Sequence, residues 1–220
     1  MAESDGNERE RENPRGQSSP PGRTRIMEAL KALLAEREFS VITTAEIARR
    51  AEVTEPLIYK YFRDKRDLLH QILTEYLRHY LERMQYDLKG IKGSLNKLRK
   101  LIWTHAHMYA TDRVFARILI VEVRNHKDYF KSDAYGMVTQ YTDVLLDVVK
   151  EGVEQGEIRS DIPAKVVRQF VLGAIEHACL PGVIFDRSLS PDRITEHLCE
   201  MIFNGIIAVS PDRPADGRGE

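Results

Sequence analysis

An all-α fold is predicted by three observations. From about residue 23 to residue 210 apolar residues recur at helical period, no segment sustains a strand's alternation, and no hairpin-turn chemistry interrupts the pattern. The chain of 220 residues, 42% hydrophobic and 30% charged, has ample apolar content for a buried core.

The elements follow in order. Residues 1–22 are charged, rich in Pro, Gly and Ser and nearly free of large apolar residues, so they cannot offset their ordering entropy and read as a disordered tail. Residues 211–220 read the same way. A first helix is expected from Arg23 to Arg37, with Ile26, Ala29, Leu30, Leu33 and Leu34 on one face. A second opens at Thr43, which with Glu46 three residues on forms a capping box, and it ends near Ala51. After "EVT", Thr54 caps a third helix with Pro56 in its first turn, where a missing N–H does no harm. Asp64 caps a fourth, whose stripe of Leu68, Leu69, Ile72, Leu73, Tyr76, Tyr80 and Met84 lasts about five turns, to "LKGIKGS". Five more are expected over 94–110, 113–123, 132–155, 164–179 and 191–209, about nine in all. The boundaries divide the chain into a tail at 1–22, a unit at 23–67, a body at 68–210 and a tail at 211–220.

Composition narrows the function. No apolar run approaches the roughly 20 residues of a membrane span, and the N-terminus lacks a signal peptide's apolar core, so a cytoplasmic protein with no membrane partner is expected. Cys179 and Cys199 are too few for a disulfide framework and fall in apolar helical patterns, as buried thiols do. Net charge is −1, yet Arg23 to Arg66 carries ten Lys/Arg against seven Asp/Glu, a modestly basic unit on a slightly acidic body. No Gly-rich phosphate loop, Cys-x-x-Cys pair or nucleophile elbow appears, so neither an enzyme nor a cofactor is expected. His105 and His107 stand two apart on one helix and diverge, so they cannot share one metal ion. Spacing leaves His107 free to pair with Glu122 or His126 on a metal, but the expected reading is an ordinary polar core or surface histidine and no metal.

The stretch "EVTEPLIYKYFRDK" carries the sharpest signal. Two short helices joined by a tight turn and preceded by a third have the outline of a helix-turn-helix. Ala48, Val53, Ile58 and Phe62 form its small core, which leaves Glu55, Pro56, Leu57, Tyr59, Lys60 and Tyr61 outside. Lys60 and Lys65 can pair with phosphate, tyrosine hydroxyls can donate to it, and Thr44 and Thr54 add hydroxyls at helix starts. Leu57 can meet a thymine methyl. Glu55 either reads a cytosine amino group or weakens non-specific binding.

"TTAEIARRAEVTEPLIYKYFRDKRDLL" resembles the DNA-binding signature of TetR-type transcriptional regulators, over roughly Arg23 to Leu69. The resemblance implies phosphate contacts at Thr44, Tyr59, Tyr61 and Lys65, and base or phosphate contacts at Glu55, Pro56, Leu57 and Lys60. The family usually has glycine in the turn. Glu52 stands there instead, and a left-handed backbone at a non-glycine residue would cost about 1 kcal/mol, so a reshaped turn is expected.

A helix-turn-helix reads few base pairs, so a homodimer on a palindromic double-stranded DNA operator is expected, paired through the last two helices near Gly173, Ala174 and Gly205. The middle helices would then enclose an apolar small-molecule effector. Candidate lining residues are Tyr76, Tyr80, Met84, Trp103, His107, Met108, Phe115, Leu119, Val123, Tyr141, Leu145, Phe170 and Ile175. "FVLGAIEHACLPGVIF" is similar to family members that sense fatty acyl-CoA, which implies a repressor released by such a ligand. The alternatives are a DNA-binding dimer without an effector and an α-helical enzyme.

Overall fold

A computed structural model describes residues 20–207; of the expected tails at 1–22 and 211–220, residues 1–19 and all of 211–220 lie outside them, as does Val209. The described residues hold nine α-helices: α1 (Pro21–Glu36), α2 (Thr44–Arg50), α3 (Glu55–Tyr61), α4 (Lys65–Asp87), α5 (Ser94–Thr111), α6 (Arg113–Arg117), α7 (Asp133–Glu154), α8 (Ala164–Phe185) and α9 (Pro191–Ile206). Strand pairing among them is limited to one isolated bridge between Ile158 and Ile207. The fold is all-α, as the periodicity requires.

Several boundaries moved, each for a local reason. α1 begins at Pro21, so Pro21 and Gly22 belong to the helix rather than the tail. Proline is suited to that first position because its N–H would have had no partner. The segment expected as one helix over 113–123 splits into α6 and a π-helical turn, Ile118–Glu122, where Val123 N–H donates to the Ile118 carbonyl at 3.2 Å. The wider turn lets Ile118, Leu119 and Ile120 all reach the core. α8 continues six residues past Cys179, through Pro181, before Asp186 ends it in a left-handed conformation. Arg113 fastens that extension by donating to the Gly182 and Arg187 carbonyls.

Caps fix the N-terminal unit. Thr43 and Glu46 form the complete capping box, and the Asp64 carboxylate accepts from the N–H groups of Arg66 and Asp67 at 2.8 Å each. Thr54 occupies the cap position of α3, but its hydroxyl accepts no capping bond, contrary to expectation. Ile26, Leu30, Leu34, Ile47, Ile58, Phe62, Leu68 and Leu69 close the small core beneath these helices, each 1% exposed or less.

In the body α5 packs against α7, α8 and α9, and α4 packs against α7. α4 is shared between the two regions. Arg23 of α1 reaches Glu75 and Gln71 of α4, both at 2.8 Å, and Lys31 lies over the Tyr76 ring at 4.9 Å. The N-terminal unit is thus fastened to α4 along a full turn beyond its own core.

Candidate nucleic-acid interface and effector region

The turn between α2 and α3 is closed by two backbone bonds. Val53 N–H donates to the Ala48 carbonyl at 3.0 Å and Glu52 N–H to the Arg49 carbonyl at 3.3 Å, which is the Schellman closure of a helix. Such a closure needs a left-handed residue, and Glu52 supplies it with φ of 53°. The expected reshaping of the turn does not occur. The paired carbonyls hold the turn in its usual geometry, and Glu52 carries the strain.

This turn presents α3 to solvent. Pro56, Tyr59 and Lys60 are exposed, Tyr59 by 54%. Thr54 is also exposed at the start of the helix. Thr44, at the start of α2, lies beside them: the Tyr59 hydroxyl donates to Thr44 Oγ1 at 3.5 Å, and the Thr44 hydroxyl donates to the Glu55 carboxylate. Thr44, Glu55 and Tyr59 therefore share one face, and Lys60 is exposed on the same helix with its ammonium over the Tyr61 ring.

Three expected contact residues are partly committed elsewhere. Leu57 and Tyr61 are half-buried and roof the start of α1, where a Cβ on Gly22 would meet Leu57 Cδ2 at 3.2 Å and Tyr61 Cε2 at 3.6 Å. A Cβ there would be tight only against Leu57, and its distance to Tyr61 is an ordinary contact. Lys65 turns inward: its ammonium donates to the carbonyls of Phe39 (2.8 Å) and Ile42 (2.5 Å) and lies 4.3 Å from the Phe39 ring centroid. Burial pushes its pKa down. Two of its three donors hold the short 3-10 turn Phe39–Val41, so one remains for a phosphate.

The effector candidates divide. Met84, Met108, Phe115, Leu119, Val123, Tyr141, Leu145 and Ile175 are all buried in the body. Tyr76 and Tyr80 are half-buried and stack at 6.3 Å, with the Phe115 ring 5.3 Å and 4.9 Å from them. The Tyr80 hydroxyl donates to Asp112 at 3.0 Å; burial and that carboxylate raise its pKa. Phe170 and His107 do not belong to this set. Phe170 is 60% exposed on α8, and His107 is exposed on α5, stacked 4.6 Å from Trp103. Trp103 itself lines a surface groove between α5 and α9 and donates to Asp192 at 2.7 Å. At those three positions the helical stripe read as core faces outward.

Periodicity missed two features. His105 is 2% exposed, its Nδ1 bonded to the Leu101 carbonyl at 2.8 Å and its ring 5.0 Å from Tyr141. A carbonyl only accepts, so Nδ1 carries the proton, and burial pushes the pKa to about 4. The second is a groove of about 560 Å³ where α1, α6 and α8 meet, lined by Leu34, Glu38, Arg113, Arg117, Val183 and Ile184 among others. Its sequence signal was the pair Arg113 and Arg117, one turn apart.

Residues 26–72 match the family described as bacterial regulatory proteins, tetR family, and residues 73–205 match the YsiA-like protein C-terminal region. The chain is 25% identical over 186 residues to the fatty acid metabolism regulator protein of Bacillus subtilis, covering 84% of this chain and 96% of that one. The crystal structure of the regulator FadR from B. subtilis in complex with stearoyl-CoA superposes with a TM-score of 0.76 at 25% identity, covering 83% of this chain and 98% of that one. The fatty acid degradation regulator FadR from Bacillus halodurans shares the fold, with a TM-score of 0.75 at 19% identity over 85% of this chain and 97% of its own.

Proposed function

The chain belongs to the TetR family of bacterial regulatory proteins, and from that premise we propose that it is a homodimeric cytoplasmic repressor, released from a palindromic operator by a fatty acyl thioester. The observation that carries the DNA reading is the shared face of Thr44, Glu55 and Tyr59, with Lys60 exposed on the same helix, beside a turn held by two backbone bonds. Threonine and tyrosine hydroxyls on a rigid helix pair lose little side-chain entropy when they meet a phosphate, and a lysine ammonium adds charge to the contact.

Dimerisation is supported by an unpartnered apolar face. Val166 and Phe170 on α8 and Met201 on α9 are 49%, 60% and 70% exposed, and a Cβ at Gly173 or Gly205 would touch nothing. Two such helix pairs make a four-helix bundle about a two-fold axis, which sets two α3 helices about one DNA turn, roughly 34 Å, apart.

The acyl thioester reading rests on the likeness to the B. subtilis regulator solved with stearoyl-CoA, together with the chemistry of the body. The chain enters among Met108, Phe115, Tyr141 and Ile175, where the thioethers of Met84 and Met108 repack readily. The groove beside Arg113 and Arg117 takes the phosphate-bearing end. Insertion displaces Tyr76 and Tyr80, and α4 carries the movement to α1 through Glu75 and Gln71. The ligand shifts the equilibrium only by its differential affinity for the two forms.

The test is a footprint on the chain's own promoter, with and without stearoyl-CoA, for the unmodified protein and Tyr59→Ala. Protection that falls with salt, is released by stearoyl-CoA and is weakened in Tyr59→Ala supports the reading. Protection unmoved by stearoyl-CoA or any other acyl-CoA leaves a DNA-binding dimer without this effector.

A further inference from the structure

The contact between Thr44 and Glu55 has a consequence for DNA reading. A threonine hydroxyl has one proton to donate, and in the free protein Thr44 gives it to the Glu55 carboxylate. The Tyr59 hydroxyl points its own proton at Thr44 Oγ1, 3.5 Å away. The donors that would meet a phosphate are therefore closed on one another, around a negative charge. Among the described residues no Lys, Arg or His forms an ion pair with Glu55. A phosphate brought against the face meets a carboxylate, and both groups only accept hydrogen bonds.

We propose that Glu55 is a specificity-determining residue: its carboxylate accepts from a cytosine amino group in the major groove, and by leaving Thr44 it releases the Thr44 and Tyr59 hydroxyls to the neighbouring phosphate. This rests on the DNA-binding reading above and goes beyond it, because it names the base and couples its recognition to the backbone contact.

The choice of base follows from donor inventories. An ionised carboxylate needs a donor, and the major-groove edges offer amino donors only on cytosine and adenine. The adenine amino group lies between acceptors on both sides, N7 of its own ring and O4 of the paired thymine. Cytosine N4 has an acceptor on one side only, the guanine O6, so a carboxylate meets less repulsion there. Over a base without a donor Glu55 stays on Thr44, and the phosphate contact remains closed. One side chain thus rewards the right base twice and opposes random sequence.

The experiment selects duplexes from a randomised pool with the unmodified full-length protein, Glu55→Gln and Thr44→Val, each first checked for helical content and unfolding midpoint. The unmodified protein is expected to enrich a symmetric motif with a fixed C·G pair in each half-site, preferred about tenfold or more over T·A there. Glu55→Gln is expected to lose that pair or exchange it for A·T, keep the rest of the motif, and bind random duplex more tightly. Thr44→Val should keep the cytosine but narrow the gap between motif and random duplex. Identical motifs from the unmodified protein and Glu55→Gln overturn the proposal, as does an equal loss of affinity for motif and random duplex in that variant. If the folded unmodified protein enriches nothing, the DNA-binding reading itself falls, and this inference with it.

Discussion

Glu52 holds a left-handed backbone, φ 53°, where the two bonds from Val53 and Glu52 to Ala48 and Arg49 leave no alternative. Its side chain is exposed and makes no compensating contact among the described residues. Glu52→Gly should therefore raise stability by up to about 1 kcal/mol, the relieved strain less glycine's extra unfolded-state entropy, read as a higher urea midpoint with unchanged slope. A lower midpoint would mean that the carboxylate does more than its exposure implies. His105 makes a second prediction at this scale. Its pKa falls from the ordinary 6.5 to about 4 in the fold because burial opposes the charge. The unfolded chain then binds more protons between those values, so stability is full above pH 6.5 and declines as pH falls toward 4. The loss is on the order of 3 kcal/mol, absent in a stably folded His105→Phe. Unfolding midpoints measured across that range decide it.

Individual elements depend on contacts that sequence spacing cannot display. Lys65 stood where a phosphate ligand was expected, one residue past the Asp64 cap, and that position was legible. Its inward turn was not, because the carbonyls of Phe39 and Ile42 that capture it lie 26 and 23 residues away. Lys65→Met should lower stability by about 2 kcal/mol, as loss of charged hydrogen bonds does, and reduce the salt dependence of DNA binding less than Lys60→Met. Lys60 is exposed on α3, so its removal should flatten the salt slope by about one unit with little change in midpoint. Salt titrations of both variants separate the two roles; equal slopes would restore Lys65 as a plain phosphate ligand. The π turn after α6 and the run of α8 past Pro181 belong here too. In each the local sequence forecast a simple helix or its end, and packing against neighbouring helices overrode it.

For the whole molecule, α4 is the member that joins the two regions. It carries the Asp64 cap at one end and the Tyr76–Tyr80 stack against Phe115 farther along, and α1 is fastened to its middle. The apolar face of α8 and α9 is the surface proposed to pair two chains for the operator reading. In the proposed dimer, Phe170→Glu should give a monomer that keeps its helical content, because Phe170 is exposed in the single chain, and should weaken operator binding by at least tenfold. Sedimentation and operator titration check this; a variant that stays dimeric would move the interface elsewhere.

By itself the sequence determined the all-helical fold, the capping box at Thr43 and Glu46, the Asp64 cap and the exposure of Pro56, Tyr59 and Lys60 on α3. Those features depend on neighbours within about a turn, and residue spacing states them directly. Tertiary structure alone decided the rest: that Phe170 and His107 face solvent, that Lys65 turns in, that His105 is sealed beside Tyr141, and that Thr44 gives its proton to Glu55. A helical stripe shows which side chains avoid water but not which surface covers them, and a hydroxyl's partner is chosen by distance in space.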